Sequence, residues 1–227
     1  MSPVVSVNSD LRQELKDRAA RFRDRMTSQG TLVVNLVSSP GAGKTSLLQQ
    51  SAKELSSNHR LAVLVGDLAT NRDAERLAQT MPAEQLTTGG ACHLEIPLVE
   101  AGFVRLSEQT PDILFIENVG NLVCPASHDL GEHLRVVLLS TTEGEDKPGK
   151  YPKMYRTSDA LILTKMDLLP YVPFDVEFAI ADAHAVQPQL KIFQTSATKG
   201  EGISQWCEYL RQLCQQLKSG NLPSHVR

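Results

Sequence analysis

Residues 32–45 read Leu-Val-Val-Asn-Leu-Val-Ser-Ser-Pro-Gly-Ala-Gly-Lys-Thr, an apolar run that leads directly into a glycine-rich turn. Helix-forming residues follow at 46–50. Small residues in such a turn let consecutive backbone N–H groups surround phosphate oxygens, and the N-terminus of the next helix adds a favourable dipole. We interpret the turn as a phosphate-binding P-loop whose contacts come from Gly41, Ala42, Gly43, Lys44, Thr45 and Ser46.

The P-loop departs from the usual pattern at one position. The pattern begins with Gly, where this chain has Ser38. Lys44 is expected to neutralise the β- and γ-phosphates, and Thr45 to offer its hydroxyl to Mg²⁺. An intact Gly-Lys-Thr between a strand and a helix outweighs the departure, and it disfavours the alternative of a flexible glycine turn without a ligand.

The composition is that of one globular domain. The 227 residues are 41% hydrophobic, and the net charge of −3 gives no electrostatic reason to expect a nucleic-acid partner. No apolar stretch approaches the ~20 residues that a membrane span needs. Residues 1–5 lack the basic start of a secretion signal, and four cysteines are too few for a disulfide scaffold. We therefore expect a cytoplasmic protein without membrane contact.

Strand-like and helix-like segments alternate along the chain. The strands are apolar without period-two polarity, which is typical of strands buried on both faces of a parallel sheet. The pattern predicts an α/β fold with a doubly wound, mostly parallel sheet flanked by helices, in which ligands bind at the carboxyl ends of the strands. The predicted strands are 32–37, 61–65, 112–116, 135–140, 160–164 and 190–195, and the predicted helices are 45–56, 73–80, 94–108, 174–186 and 203–218.

Two acidic residues follow predicted strands near the P-loop. Asp67 is expected to hold Mg²⁺ through water or to orient the attacking water, with Thr70 sensing the γ-phosphate. Glu117 is a Walker-B-like acid, and Gly120 is placed to offer a backbone N–H to that phosphate. Either acid alone is about as often a cap or a turn carboxylate. The predicted catalytic residues are Lys44, Asp67 and Glu117, and the predicted Mg²⁺ ligands are Thr45, Asp67 and Glu117.

The choice of base rests on an apolar strand that ends in Thr-Lys-Met-Asp after residue 163. A carboxylate at Asp167 can accept from both N1–H and the N2 amino group of guanine, whereas adenine would leave it without a donor, at a cost of about 1–3 kcal/mol or more. The Lys165 stem is expected to lie along the base. The loop with Ser196 and Ala197 resembles one whose backbone contacts guanine O6. The familiar motif has Asn where this chain has Thr164, so we expect GTP with one amide contact missing or replaced by a hydroxyl.

Cysteine and histidine form a second chemical signal. Cys92 and His93 are adjacent, and Cys124 follows soon after the glycine turn of the third predicted strand. Thiolate and imidazole suit Zn²⁺ or Ni²⁺, and the closeness of that turn would couple metal state to nucleotide state. Three ligands leave a fourth position for water, substrate or a second subunit, so a site shared across a dimer is the natural solution. Dispersed Cys and His are otherwise more often core residues, which is what we expect of Cys207 and Cys214.

A helix is also expected ahead of the first strand. Leu11, Leu15, Phe22 and Met26 share one helical face, and Ser9 is placed to cap the start. The predicted organisation is an N-terminal helix packed on the main domain (1–30), a P-loop GTPase domain with a metal site (31–218) and a frayed tail (219–227).

Several motifs carry a resemblance that covers about residues 10–215. They are Gly-Asp-Leu-Ala-Thr (66–70) continuing into Arg-Asp-Ala-Glu-Arg-Leu (72–77), Cys-His (92–93), Glu-Asn-Val-Gly-Asn-Leu-Val-Cys-Pro (117–125), Lys-Tyr-Pro (150–152) and Asp-Leu-Leu-Pro-Tyr (167–171). Together they resemble the HypB family, the GTPases of nickel–iron hydrogenase maturation.

The resemblance implies a GTPase that dimerises with nucleotide and assists delivery of Ni²⁺ to the hydrogenase large subunit precursor, with a HypA-type metallochaperone as partner. Slow turnover is expected, since no arginine finger is identifiable in the sequence. By matching motifs, Cys92, His93 and Cys124 would be the Ni²⁺ or Zn²⁺ ligands, and Lys44, Thr45, Asp67, Glu117 and Asp167 would serve nucleotide and Mg²⁺.

Departures and alternatives limit this expectation. Some family members carry an N-terminal Cys-x-x-Cys-Gly-Cys nickel site or a His-rich storage segment, whereas residues 1–30 contain neither Cys nor His, so we expect a regulator or short-term carrier. Lys150 and Lys153 are both candidates to approach a partner's nucleotide. A urease-type nickel GTPase would carry Cys-Pro-His, which this sequence lacks. A small-molecule kinase would need an Arg-rich lid, which the sequence does not show either. A P-loop GTPase without a nickel role, or a binding module with incidental nucleotidase activity, stays open.

Overall fold

The computed structural model describes residues 3–67, 71–106, 110–223 and 226. Within these ranges the strands are β1 (Leu32–Ser38), β2 (Leu61–Asp67), β3 (Ala83–Thr87), β4 (Ile113–Gly120), β5 (Leu134–Ser140), β6 (Ala160–Thr164) and β7 (Lys191–Gln194). The helices are α1 (Pro3–Ser28), α2 (Lys44–Leu55), α3 (Arg72–Leu77), α4 (Ile96–Leu106), α5 (Lys147–Lys150), α6 (Pro152–Arg156), α7 (Val176–Val186) and α8 (Ile203–Lys218), with 3₁₀ turns at Cys124–Ser127 and Met166–Tyr171.

The seven strands form one sheet in the order β3-β2-β4-β1-β5-β6-β7, and every pairing is parallel. β1 and β5 are neighbours, yet β1 is followed by β2 on one side of this pair and β5 is followed by β6 on the other side. Such a reversal opens a crevice at the carboxyl ends of the strands. The doubly wound α/β prediction is confirmed, and the sheet is parallel throughout the described residues.

Strand β3 was not among the predicted strands. Its sequence is Ala-Glu-Gln-Leu-Thr, and Leu86 is its one fully buried residue. It lies at the edge of the sheet, paired only with β2. Since an edge strand keeps one side open to solvent, it does not need the continuous apolar run by which the other six strands were recognised.

The sheet is covered on both faces. Helices α2, α3 and α8 pack on one face, where Phe115 of β4 and Trp206 of α8 are fully buried. Helices α1, α4, α6 and α7 cover the other face in two clusters. Cys207 and Cys214 lie in the α8 contact with the sheet, so the prediction that they are core residues is confirmed.

Helix α1 is longer than predicted and is tied to the loop before β5. It begins at Pro3, so Ser9 lies inside the helix and the cap prediction is wrong. Phe22 and Met26 are buried, but Leu11 is 54% exposed and does not share their packing. Arg23 donates to both carboxylate oxygens of Asp129, at 2.6 and 2.7 Å.

The chain end and the loop after β5 also differ from expectation. Leu222 packs against the core and Val226 is 4% exposed, so the predicted fraying of residues 219–227 does not hold for these two. The short helices α5 and α6 lie in a region for which no element was predicted. Among the described residues, no helix combines the length and the apolar character that a membrane crossing requires.

The contact between α1 and the main domain depends on Gly131. Its φ is +74°, and a Cβ there would lie 2.8 Å from the carbonyl oxygen of Ala19 and 2.7 Å from Phe22. We expect Gly131→Ala to lower the free energy of unfolding by about 1–3 kcal/mol beyond the left-handed backbone cost, because α1 must shift. Urea unfolding measures the change.

Gly30→Ala is the matched control for this test. Its φ is +70°, and a Cβ there meets only the Lys218 side chain at 3.7 Å. The Gly30→Ala variant therefore has the cost of a left-handed backbone, about 1–2 kcal/mol, without a steric clash. Equal losses for the two variants would contradict close packing of α1 at Gly131.

Candidate functional site

The P-loop lies between β1 and α2. Gly41 and Gly43 have φ of +74° and +97°, values that glycine adopts without steric cost. The Lys44 ammonium is buried and donates to Ser38 Oγ at 2.9 Å. Burial lowers the pKa of Lys44. Ser38, the residue that departs from the usual pattern, therefore supplies a contact to Lys44 that glycine could not.

Glu117 meets the P-loop from the neighbouring strand β4. Its Oε1 accepts a hydrogen bond from Thr45 Oγ1 at 2.7 Å, and the side chain is 4% exposed. Its Oε2 is buried without a hydrogen-bond partner in the described part of the chain. Burial raises the pKa of Glu117 to about 7, although nearby Lys44 opposes the shift. A buried carboxylate oxygen with no hydrogen bond is a site at which an ion or a water molecule can bind.

The arrangement fits Mg²⁺, which prefers carboxylate and hydroxyl oxygens. Val65 of β2 pairs with Glu117 of β4, so Asp67 lies two residues further toward the same edge of the sheet. Thr45, Asp67 and Glu117 thus project from three adjacent elements at the carboxyl edge. Thr70, the predicted γ-phosphate sensor, lies outside the described residues.

A separate cavity of about 350 Å³ lies where β6 and β7 end, bordered by Gly43, Lys165, Asp167 and Ala197. Ser196 Oγ donates to Asp167 Oδ1 at 2.6 Å, which fixes the carboxylate that was predicted to read the base. Lys165 has a φ of +58°, the one positive value of a non-glycine residue among the described residues. The backbone is held in this uncommon conformation beside the predicted base position.

Thr164 links the base cavity to the phosphate loop. Its buried hydroxyl donates to the backbone oxygen of Ala42 at 2.6 Å. The sequence suggested that one amide contact is missing or replaced by a hydroxyl when Thr replaces Asn here. The structure gives this hydroxyl a hydrogen bond to the backbone of the P-loop.

The phosphate loop and the loop that carries Cys124 are in direct contact. Gly120 ends β4 opposite Ser38 of β1, and a Cβ on Gly120 would lie 2.8 Å from the Cα of Pro40. Only glycine fits this approach of two backbones. Cys124 follows four residues later, so a movement of the P-loop would reach the cysteine loop through very few residues.

Cys92, His93 and Cys124 come together near that loop. One ligand atom from each lies within 4.8 Å of the others. The Cys92 thiol donates to Cys124 Sγ at 2.8 Å, and this bond raises the pKa of Cys92. Nδ1 of His93 lies 3.8 Å from Cys92 Sγ. Adjacent residues often cannot both reach one ion, but here Cys92 and His93 face the same space.

Asn121 organises the cysteine loop, a role that the motif at 117–125 did not indicate. Its Oδ1 accepts from Val123 N at 2.7 Å and from Cys124 N at 3.4 Å, and its Nδ2 donates to the backbone oxygen of Cys92 at 3.3 Å. It therefore joins the two segments that supply the thiols. Supporting hydrogen bonds of this kind fix the orientation of metal ligands.

The lysines after β5 have separate environments. Lys147, which was not singled out, donates to Ser39 of the P-loop at 2.6 Å and also pairs with Glu143. Lys150 pairs with Asp146 on the surface, where both side chains are exposed. Lys153 donates to Ser127 Oγ beside the cysteine loop at 2.6 Å. Within one chain, Lys147 is thus the one of the three that contacts the phosphate loop.

Comparison with known proteins gives a consistent result. A family model described as "CobW/HypB/UreG, nucleotide-binding domain" matches residues 32–194. Hydrogenase maturation factor HypB of Escherichia coli (strain K12) is 48% identical over 208 residues, which cover 91% of this chain and 72% of that protein. A Helicobacter hepaticus relative, described as a hydrogenase/urease maturation factor HypB, is 42% identical over 92% of this chain and 86% of its own length.

Solved structures agree in fold. The crystal structure of HypB from Helicobacter pylori in complex with nickel has a TM-score of 0.86 and 36% identity, and the match covers 94% of this chain and 100% of that chain. The crystal structure of hydrogenase maturation factor HypB from Archaeoglobus fulgidus has a TM-score of 0.83 and 34% identity. The match covers 89% of this chain and 99% of that chain.

The buried carboxyl of Glu117 predicts a pH dependence of stability. Its folded-state pKa of about 7 lies above the ordinary value of 4.5, so between these values the folded protein binds more protons than the unfolded chain. The free energy of unfolding of the ligand-free protein should therefore fall as pH rises from 4.5 to 7, by on the order of 1–3 kcal/mol. Urea unfolding at pH 5 and pH 8 measures it.

Glu117→Gln should remove most of this slope and be more stable than the wild type at pH 8, because the amide never ionises. Exposed Glu201 provides the control substitution, Glu201→Gln, which should keep the wild-type slope. A slope that persists unchanged in Glu117→Gln would rule out this residue as its source.

Proposed function

The chain belongs to the HypB family of the CobW/HypB/UreG nucleotide-binding domains, and from this premise we propose that it is a GTP-hydrolysing metallochaperone that assists nickel insertion into nickel–iron hydrogenase. One observation carries the proposal. Cys124 of the cluster with Cys92 and His93 lies only four residues beyond Gly120, which packs against the P-loop at Pro40. A nucleotide site and a transition-metal site in such contact suit a protein that handles metal under nucleotide control.

The hydrolysis would convert GTP and water to GDP and phosphate. The P-loop N–H groups and Lys44 bind the β- and γ-phosphates, and Asp67 orients the attacking water. Thr45, Asp67 and Glu117 would hold Mg²⁺, which supplies neutralisation of phosphate charge when bound. Glu117 supports this role because its Oε2 has no hydrogen-bond partner in the described part of the chain. With no arginine finger assigned, turnover is slow.

Guanine is the proposed base. The Asp167 carboxylate accepts from N1–H and the N2 amino group, and the Ser196 hydroxyl holds it in place. Lys165 borders the same cavity, and the Ala197 backbone is placed to contact O6. An adenine in this cavity would leave the carboxylate without a donor.

Nickel is the proposed cargo and a homodimer the proposed working form. Three ligands from one chain leave a coordination position for a second subunit, and exposed Cys92 is accessible to one. GTP would draw the loops after Asp67 and Glu117 inward, close the dimer and reshape the cysteine site, and hydrolysis would loosen it. A coupling of ~1–3 kcal/mol between nucleotide and metal affinity suffices for such a switch.

The proposed partners follow from the family. A HypA-type metallochaperone would exchange nickel with this protein, and the hydrogenase large subunit precursor would receive it. Free thiols at Cys92 and Cys124 suit the reducing cytoplasm, where we place this step. Zn²⁺ fits the same donors, and nickel is favoured by the nickel complex of the Helicobacter pylori relative.

Native mass spectrometry with limiting Ni²⁺ tests the proposal. The wild type is compared with GDP and with a non-hydrolysable GTP analogue, so that one spectrum reports subunit number and bound metal. We expect a dimer that holds nickel with the analogue, and loss of that nickel in Cys124→Ala. Cys214→Ala is the control, because it removes a buried thiol outside the site. Metal-free monomers in every state would leave a P-loop GTPase without a nickel role.

The base assignment has its own test. Asp167→Asn should weaken GTP binding at least about tenfold and improve xanthosine triphosphate binding, because the exchanged donor and acceptor match xanthine. Competition with a fluorescent nucleotide measures both affinities. Asp175→Asn, which alters a helix cap on α7, is the control. An unchanged preference for GTP in Asp167→Asn would overturn the guanine assignment.

A further inference from the structure

A second group of ligand-type side chains borders the cysteine site. It consists of His93, Glu95 and His128, and one donor atom from each lies within 4.8 Å of the others. We name these three residues the imidazole set, and Cys92, His93 and Cys124 the thiolate set. The two sets overlap at His93, so an ion in one set is next to the donors of the other.

His128 has the proton arrangement of a metal ligand. Its Nδ1 lies 2.8 Å from the backbone oxygen of Cys124. Because a carbonyl oxygen only accepts, Nδ1 carries the proton, and the lone pair of Nε2 remains for an ion. Metal-binding histidines are commonly fixed by such a bond from the other ring nitrogen to a backbone carbonyl.

His93 faces both sets with different nitrogens. Its Nδ1 lies 3.8 Å from Cys92 Sγ, and its Nε2 lies 3.5 Å from Glu95 Oε1. Nε2 is buried and makes no hydrogen bond within the described part of the chain. The ring also stacks on His128, with 3.8 Å between ring centroids and 23° between planes. A buried nitrogen without a hydrogen bond, beside a carboxylate and a second imidazole, is placed to bind a cation.

The two sets border one recess. Cys92 and Glu95 are exposed, and His93, Glu95 and His128 line a cavity of about 780 Å³ that reaches Lys16 on α1. Cys124 also borders this cavity. Each set therefore has one exposed donor, and the imidazole set lies along the wall of a recess that reaches α1.

The donors also differ in chemistry. The thiolate set offers two sulfurs and two negative charges, and the imidazole set offers nitrogen and oxygen donors with the single charge of Glu95. Imidazole suits Ni²⁺, but the single charge of Glu95 attracts a divalent ion less strongly than two thiolate charges do. Donors on one tetrahedral ion lie about 3.3–3.8 Å apart, so small side-chain rotations would close either set around an ion.

We propose that His93, Glu95 and His128 form a second, weaker binding position for the divalent ion, to which the ion passes from the thiolate set by ligand exchange. The bonds to Cys92, Cys124 and His93 Nδ1 break, and bonds to His93 Nε2, His128 Nε2 and Glu95 form, while the His93 proton moves from Nε2 to Nδ1 through water. The released thiolates keep their electron pairs or take up protons from water, and no oxidation occurs. The identity of the ion as nickel rests on the proposed function, but the ligand assignment does not.

Titration of a variant without the cysteine donors tests the second position. Cys92→Ala/Cys124→Ala is titrated with Ni²⁺ by calorimetry, with circular dichroism to check the fold. We expect one Ni²⁺ per chain, bound at least about tenfold more weakly than in the wild type and without sulfur-to-nickel absorption bands. Addition of His128→Phe should weaken the residual binding by a further factor of about ten or more. Addition of His184→Phe, at an exposed position on α7, should leave it unchanged.

A second measurement keeps both cysteines. In His128→Phe alone the sulfur-to-nickel bands should remain, but transfer of nickel to a chelator should slow about tenfold, because the intermediate position is lost. Glu95→Gln should slow it as well, and His184→Phe should not.

Absence of nickel binding in the variant without cysteines, or residual binding that His128→Phe does not weaken, overturns this proposal. Either result leaves the proposed function intact if the wild type shows the sulfur-to-nickel bands. A wild type without those bands contradicts the nickel function instead, while residual binding that depends on His128 would still support the imidazole set.

Discussion

The parallel pairing of β1 with β4 sets the spacing on which both sites depend. It places Glu117 against Thr45 and brings Gly120 against Pro40, so that one strand reaches the phosphate loop twice. The same strand then leads into the loop that carries Cys124. Since packed backbones have little room to move independently, a change in the phosphate loop would reach the cysteine loop through few intervening residues, as the proposed function requires.

The phosphate site is built from charged groups whose hydrogen bonding is incomplete. Lys44 and Glu117 are both buried. Burial lowers the pKa of Lys44 and raises the pKa of Glu117, and both shifts favour the neutral form. The protein keeps them there because the sheet holds their backbones at the carboxyl edge of adjacent elements. Buried polar groups of this kind lower the stability of the ligand-free protein, and they would become favourable if phosphate and a cation bind as proposed.

Residues that are not themselves proposed metal ligands hold the cysteine loop in its conformation. Asn121 bonds to both thiol-bearing segments, and Arg23 of α1 holds Asp129, the residue after His128. The N-terminal helix is therefore part of the support of the metal region as well as a cover for the sheet. Two ligand sets that share His93 are possible only because this support brings residues 92–95 and 124–128 into one place.

The sequence by itself determined the P-loop, the parallel α/β fold and the family, because these depend on local motifs and on apolar runs that each strand shows alone. It also gave the three thiolate-set residues as a group. It did not reveal β3, the Thr164 contact with Ala42, or the meeting of His128 with His93. Those features depend on which distant segments the sheet and α1 bring together, and side chains that meet across such distances leave no periodic pattern along the chain.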